Sequence, residues 1–295
     1  TVIEKNSLIW APMAGVTDYV YRGLCARFGA EATVTEMVSA KGYLLTPKER
    51  LDVIQLRQTN PGEHCALQIF GSDADFMARA AERLCESRFF ALDINMGCPA
   101  PKIVSGGDGS AMLKDLKNAE KVLRAVVRAS SLPVTVKMRM GWDEHSICTL
   151  EAGKMAQDCG VSAVTLHART RQEMYAGHAH WDAIGELAAA LDIPVVGNGD
   201  IESVEDAQRM LREDVVDKVI KRDVLTLFNI RSPLLMEKLF LYLCMNSTEI
   251  FSVTTAAKEL ENTSAATIDS YIEALEMSNL IYLSKPMDVG SKGAL

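Results

Sequence analysis

The chain has 295 residues, 48% hydrophobic and 24% charged, with a formal net charge of -8. This composition excludes a disordered chain, and the length admits one large α/β barrel or two ordinary domains. The acidic balance excludes a broadly basic surface, so contact with nucleic acid needs a local basic face on an acidic body.

Nothing approaches a run of about eighteen apolar residues, so no membrane span is expected. The opening stretch TVIEKNSLIWAPMAG lacks the basic segment and apolar core of a secretory signal. Seven cysteines stand at 25, 65, 85, 98, 148, 159 and 244, an odd count with no CxxC pair. That pattern argues against a disulfide framework and a metal site, and it fits a reducing cytoplasm.

Seven apolar or β-branched runs follow one another: LIWAP (8–12), ATVTEM (32–37), CALQIF (65–70), ALDINM (91–96), PVTVKM (133–138), AVTLHA (163–168) and PVVGNG (194–199). Amphipathic stretches such as ADFMARAAERLCES (74–87) and NAEKVLRAVVRAS (118–130) separate most of them. Strands alternating with helices predict βαβ units and a parallel sheet, with strands apolar on both faces where helices cover them. Glu36, Gln68, Asn95, Lys137, His167 and Asn198 recur at the carboxyl ends of these runs, where a β/α barrel builds its site. The expected fold class is therefore α/β, a (β/α)8 TIM-type barrel.

The pattern then changes. Of 19 glycines, 17 lie at or before Gly199 and none lies between Asp200 and Val289. VVDKVI (215–220) is the nearby candidate for an eighth strand, and it is short. The barrel is expected to be incomplete at strand eight unless this segment or another chain covers the exposed edges. Three helical stretches follow: SPLLMEKLFLYLCMN (232–246), VTTAAKEL (253–260) and SAATIDSYIEALEMSN (264–279). Thr263 or Ser264 is placed to cap the last, and the strand-like LIYLSK (280–285) comes next. This is the layout of a small, mostly helical winged-helix-like domain. The boundary falls near residue 213, giving domains 1–213 and 214–295. The third helical stretch has no Lys or Arg, which favours a protein partner or self-association over reading of the DNA major groove.

The segment DINMGCPAPKIVSGGDGSAML (93–113) carries the most chemistry. Cys98 lies just past a strand end, between Gly97 and Pro99. A thiol ordinarily holds its proton at neutral pH and can act as a general acid, while a small buried cysteine is the plainer alternative. Gly106, Gly107 and Gly109 keep the loop thin enough for a bulky substrate. Lys137 ends the fifth run, where a cation can hold negative charge on a ring, and Arg139 follows within reach of a phosphate backbone. His167 opens a His-x-Arg-x-Arg cluster with Arg169 and Arg171, readable as a phosphate contact or a solvated loop. Asn198, Gly199 and Asp200 form either a phosphate-binding loop or a simple turn. Gln68 offers an amide to a ring edge, and Pro12, Met13 and Ala14 offer backbone and a soft side chain to its face.

APMAGVTD (11–18), TEMVSA (35–40), LQIFGSD (67–73), INMGCPAPKI (94–103), PVTVKMRMGWD (133–143), LHARTRQEMYAGHAHW (166–181) and PVVGNGDI (194–201) resemble, in order, the motifs of the tRNA-dihydrouridine synthases. The resemblance covers residues 1 to about 212. It implies FMN held by Pro12, Met13, Ala14, Gln68, Lys137, His167, Asn198, Gly199 and Asp200. It implies Cys98 as the catalytic acid, Arg139 and Arg169 facing tRNA, and NADPH or NADH as electron donor. Family members continue with an eighth strand ending in a Gly-Arg pair and a helical tRNA-binding domain. Here residues 214–295 instead resemble the C-terminal segment of a prokaryotic AAA-type ATPase family, carried by RDVLTLFNIRSPLLMEKLFLYL and ATIDSYIEALEMSNLIYLSKP. The residues alone leave two other readings open: a different FMN-dependent barrel oxidoreductase, and an inactive barrel fused to a protein-interaction module.

Overall fold

A computed structural model describes residues 7–46, 58–85, 88–203, 205–207, 210, 230–245, 252–260 and 263–277. The chain divides into two compact units, Thr1–Asp214 and Val215–Leu295.

In the first unit the strands are β1 (Ile9–Trp10), β2 (Ala32–Val34), β3 (Val38–Ser39), β4 (Cys65–Phe70), β5 (Ala91–Met96), β6 (Val134–Arg139), β7 (Ala163–His167) and β8 (Val195–Asn198). All pair in parallel, in the order β1-β2-β4-β5-β6-β7-β8, with β3 extending the pairing along β4. Each strand thus lies beside the next main strand in the chain, as in a (β/α) barrel. Ile9 and Pro12, in and just after the first strand, line the same interior cavity as Val196 and Asn198 of the last. The sheet therefore curls around its inner face as a half-barrel of TIM type. Among the described residues β1 and β8 each pair on one side only. The candidate eighth strand, 215–220, lies outside the described residues.

The helices of this unit are α1 (Tyr19–Arg27), α2 (Ala40–Leu45), α3 (Ala74–Leu84), α4 (Pro101–Val104), α5 (Leu116–Ala129), α6 (Thr149–Asp158) and α7 (Trp181–Ala190), with a 3-10 turn at Gly109–Lys114. Aspartates start three of them: Asp18 accepts from Tyr21 N–H, Asp73 from Asp75 and Phe76, and Asp115 from Asn118. A carboxylate there satisfies otherwise unpaired N–H groups and faces the positive end of the helix dipole. Helical periodicity buries Met77, Ala80, Ala81 and Leu84 of α3, and Ala119, Val122, Leu123 and Val126 of α5.

These helix faces pack on the outward residues of the strands: Cys65, Leu67 and Ile69; Leu92, Ile94 and Met96; Val136 and Met138; Val164 and Leu166. The alternate residues point inward, because side chains along a strand alternate between faces. That inner face carries Gln68, Asp93, Asn95, Thr135, Lys137 and Arg139, which corrects the expectation of strands apolar on both faces. The helix-covered face is apolar along its length, while the inner face is apolar only near its base, at Val34, Ala66 and Ala91. The inner face becomes polar toward the carboxyl ends because it lines a site.

The second unit contains α8 (Pro233–Met245), α9 (Val253–Glu259) and α10 (Ala265–Met277). Met236, Leu239, Ala256, Ile268, Ile272 and Leu275 form its core, and the Tyr271 hydroxyl accepts from Ser232 N–H at 2.9 Å. Ser252 and Ser264 accept from the third N–H beyond them, at Thr255 and Thr267, and so start α9 and α10. The expected strand at 280–285 lies outside the described residues.

Candidate functional site

Register stacks the inner face in rows. Gln68 lies beside Asp93, and Asp93 beside Thr135. One pleat higher, Asn95 lies beside Lys137 and Lys137 beside Thr165. Above these, Arg139 lies beside His167 and His167 beside Asn198. Five strands thus place a carboxylate, three amides, a lysine, an arginine and a histidine on the inner face toward their carboxyl ends.

The lowest row is hydrogen-bonded within itself and to Asn95 above it. Thr135 Oγ1 donates to Asp93 Oδ1 at 2.6 Å, and Gln68 Nε2 donates to Asp93 Oδ2 at 2.7 Å. Asn95 Nδ2 donates to Gln68 Oε1 at 2.9 Å. Burial pushes the Asp93 carboxyl above the usual carboxylate range, against the hydrogen bonds and the nearby Lys137 charge.

Lys137 Nζ donates to Asn198 Oδ1 at 2.8 Å. Burial lowers the ammonium from 10.5 to about 8, with Asp93 opposing and Arg139 adding to the fall. An ammonium has three donors, and this half-buried one lines a cavity with Pro12, Asp93 and Thr165. Pro12, Lys137 and Asn198 are the expected site residues brought together there. Met13 and Ala14 lie outside this lining, in an exposed turn closed by Val16 and Thr17 N–H groups on Met13 O. The Thr17 hydroxyl also donates to Met13 O.

Cys98 sits on the loop after β5, half-buried. Its N–H donates to Asn95 Oδ1 at 2.8 Å, and its carbonyl accepts from the Ser110 hydroxyl at 3.0 Å and N–H at 3.1 Å. Gly109 lies against it at φ +59, where an added Cβ would stand 2.8 Å from Cys98 O. This gives Gly109 a sharper reason than a thin loop: the Cys98 backbone occupies the space a side chain would fill.

His167 is held neutral. Burial is the main cause, the cations Lys137, Arg139 and Arg169 add to it, and the pKa falls to about 3 despite Asp200. An added Cβ on Gly199, at φ +115, would stand 3.2 Å from the His167 ring. Gly199 O in turn accepts from the Trp181 indole at 2.9 Å.

Three expectations are placed differently. Arg139 is 2% exposed and turned inward, donating to Gly97 O at 3.0 Å and to Thr170 O and Met174 O at 2.8 Å. Arg169 is 4% exposed and donates to Ala176 O, Gly177 O and the Asp200 carboxylate. Neither guanidinium faces outward toward a nucleic acid. A buried arginine satisfies several loop carbonyls at once through its forked donors, and the loop after β7 supplies them. Asp200, at φ +56, is tied to Arg169 and to Ala179 N–H rather than free for a ligand.

Sequence reasoning missed Asp93 and Thr135 as site residues, and a buried knot beside the first turn. Arg22 Nε donates to Glu63 Oε1 at 2.7 Å, with Arg22 Nη1 on Thr17 O and Thr33 Oγ1 on the same Glu63 oxygen. The available signal was an Asp and an Asn two apart inside the apolar run ALDINM. Both must share the face that the apolar residues do not.

The dihydrouridine synthase family model matches residues 9–226, and a domain of unknown function (DUF8612) matches residues 201–293. The tRNA-dihydrouridine synthase B of Pseudomonas putida is 43% identical over 218 residues, covering 73% of this chain and 64% of that protein. That of Vibrio cholerae is 44% identical over 218 residues, covering 73% of this chain and 66% of that protein. The chain thus spans less than two thirds of the length of these relatives. The family match takes in β1 to β8, the Cys98 loop and the Lys137 cavity, and on it the chain belongs to the dihydrouridine synthase family.

Proposed function

We propose that the chain is a flavin-dependent tRNA-dihydrouridine synthase, reducing a uridine of tRNA to 5,6-dihydrouridine with FMN as cofactor and NADPH or NADH as electron donor. The observation that carries this reading is the Cys98 loop. The thiol stands at the carboxyl end of the barrel with its backbone pinned from both sides, by Asn95 and Ser110.

The donor set fits a flavin at its ring end. Lys137 is a half-buried cation with donor capacity beyond its bond to Asn198, suited to an anionic ring edge. Pro12 lines the same cavity, and the neutral His167 presents a ring nitrogen that can accept or donate. In this reading Lys137, Asn198, His167 and Gly199 hold the cofactor, with Gln68 and the Pro12–Ala14 turn beside it, while Asp200 acts through Arg169. When bound and reduced, the flavin supplies a hydride to carbon 6 of the uracil. Cys98 gives its proton to carbon 5 as the 5,6 double bond is lost, and the thiolate regains a proton from water. The base must first leave its stack to reach a thiol set in a barrel mouth.

Arg139 and Arg169 shape the RNA-facing surface indirectly, by holding the loop from Thr170 to Gly177. Lys114 Nζ and the Arg171 guanidinium, each 4.6 Å from the Trp142 ring centre, are the cations proposed to meet the RNA. The second unit is proposed to contact protein. Among the described residues no helix is long and apolar enough to cross a membrane, and no group of three metal-ligating side chains occurs.

The deciding experiment incubates the purified protein with unmodified tRNA transcript, FMN and NADPH, then measures dihydrouridine. Cys98→Ala is expected to lose about 100-fold or more, the usual share of a positioned acid. Formation of dihydrouridine at equal rates with and without the thiol overturns the role of Cys98. A protein that neither binds flavin nor modifies tRNA overturns the function.

A further inference from the structure

The amide of Cys98 is the end of a directed chain of side chains. Its N–H and that of Gly97 donate to Asn95 Oδ1, at 2.8 and 3.1 Å. Asn95 Nδ2 donates to Gln68 Oε1 at 2.9 Å, and Gln68 Nε2 donates to Asp93 Oδ2 at 2.7 Å. A backbone N–H can only donate. Its demand turns the Asn95 oxygen toward Cys98, which turns the Asn95 nitrogen toward Gln68, which turns the Gln68 nitrogen toward residue 93. Each amide then has one orientation left. The chain closes only on a group that accepts and does not donate at that point.

Asp93 meets this requirement, and its strand register makes the meeting unavoidable, with Gln68 on one side and Thr135 on the other. We propose that Asp93 is a positioning residue for Cys98: as terminal acceptor it locks the Gln68 and Asn95 amides in the orientation that holds the Cys98 loop. The arrangement tolerates either charge state. A proton on Asp93 Oδ1 can be donated to the Thr135 hydroxyl while Oδ2 goes on accepting from Gln68. Burial that favours the neutral carboxyl therefore leaves the loop in place. The four side chains are at most 7% exposed, so each is held chiefly by its protein partners.

The logic distinguishes two substitutions of similar size. Asp93→Asn can keep its oxygen toward Gln68 and donate its nitrogen to Thr135 Oγ1, so the chain survives. Asp93→Leu offers no acceptor, and Gln68 and Asn95 lose their fixed orientation. The bearing on catalysis rests on the reading of Cys98 as the acid. The test does not, because it follows the loop itself.

The experiment measures hydrogen–deuterium exchange at the Gly97 and Cys98 amides, and iodoacetamide alkylation of Cys98, by mass spectrometry on the full chain. Asp93→Leu is expected to speed both by about tenfold, the loss of roughly one hydrogen bond, with β6 amides unchanged. Asp93→Asn is expected to stay within about twofold of the parent on the same reasoning. If Asp93→Leu does not fold, Gln68→Met severs the chain one link further on and is read the same way. Unchanged exchange in the severed variant overturns the proposal, and so does an asparagine variant as impaired as the leucine one.

Discussion

The Arg169 guanidinium meets both oxygens of the Asp200 carboxylate at 2.8 Å, joining the loop after β7 to the turn after β8. Burial alone would raise the Asp200 carboxyl, but the Ala179 N–H and the Arg169 charge outweigh it and hold it below its ordinary value. A depressed carboxylate stabilises the fold above its unfolded pKa and ceases to do so as pH falls through the folded one. Asp200→Asn should therefore flatten the acid limb of stability below about pH 4, the ordinary carboxylate range. Urea melts across that limb check it, and an unchanged limb would count against the pairing. Arg169→Ala, which also leaves two loop carbonyls without their donor beside a partly solvated carboxylate, should cost about 1–3 kcal/mol, the range for unsatisfied polar groups.

His167 should stay neutral at every pH at which the protein works. Its folded pKa, about 3, lies below that of a free imidazole. The unfolded chain thus binds the extra proton between about pH 3 and 6.5, and stability must rise with pH across that window. The slope should approach about 1.4 kcal/mol per pH unit for one proton. Imidazole resonances followed by NMR should show no titration of His167 above pH 5, and His167→Asn should reduce the slope.

Lys137 behaves in the same sense at the other end of the scale. With a folded pKa of about 8 against 10.5, the unfolded chain holds the proton between these values while the folded protein has lost it. Raising the pH from 8 to 10.5 should favour the parent over Lys137→Met, by at most about 1.4 kcal/mol per unit. Paired denaturation curves at pH 7, 8.5 and 10 provide the measurement. A stability difference independent of pH would mean that the ammonium is not buried.

Lys114 Nζ and the Arg171 guanidinium each lie 4.6 Å from the Trp142 ring centre, and this pair is proposed to contact RNA. Replacing either with Ala should weaken tRNA binding and reduce the salt slope of log K by about 0.7–0.9 for each phosphate no longer neutralised. Binding titrations between 50 and 200 mM salt, a range spanning roughly a thousandfold for several phosphates, would reveal it. A slope unchanged in the double variant would place the RNA elsewhere.

Much of the barrel was legible from local chemistry. Apolar runs such as CALQIF and ALDINM alternate with amphipathic stretches because a parallel strand must be covered by a helix. The runs became β4 and β5 with unchanged bounds. Cys98 was legible because glycine and proline on either side leave it no place but a loop. What stayed hidden were the partners of the polar residues. Period-two alternation shows that Asp93 and Lys137 face inward, but the register of neighbouring strands decides that Asp93 meets Gln68 and Thr135. The arginines show the same limit more sharply. As local sequence, Arg139 and Arg169 read as free cations at a barrel mouth. Only the tertiary fold brings the carbonyls of residues 170–177 within their reach, and a guanidinium among unpaired carbonyls stays with them. The sequence by itself determined which residues could act. Tertiary structure decided which of them face the site and which hold it in shape.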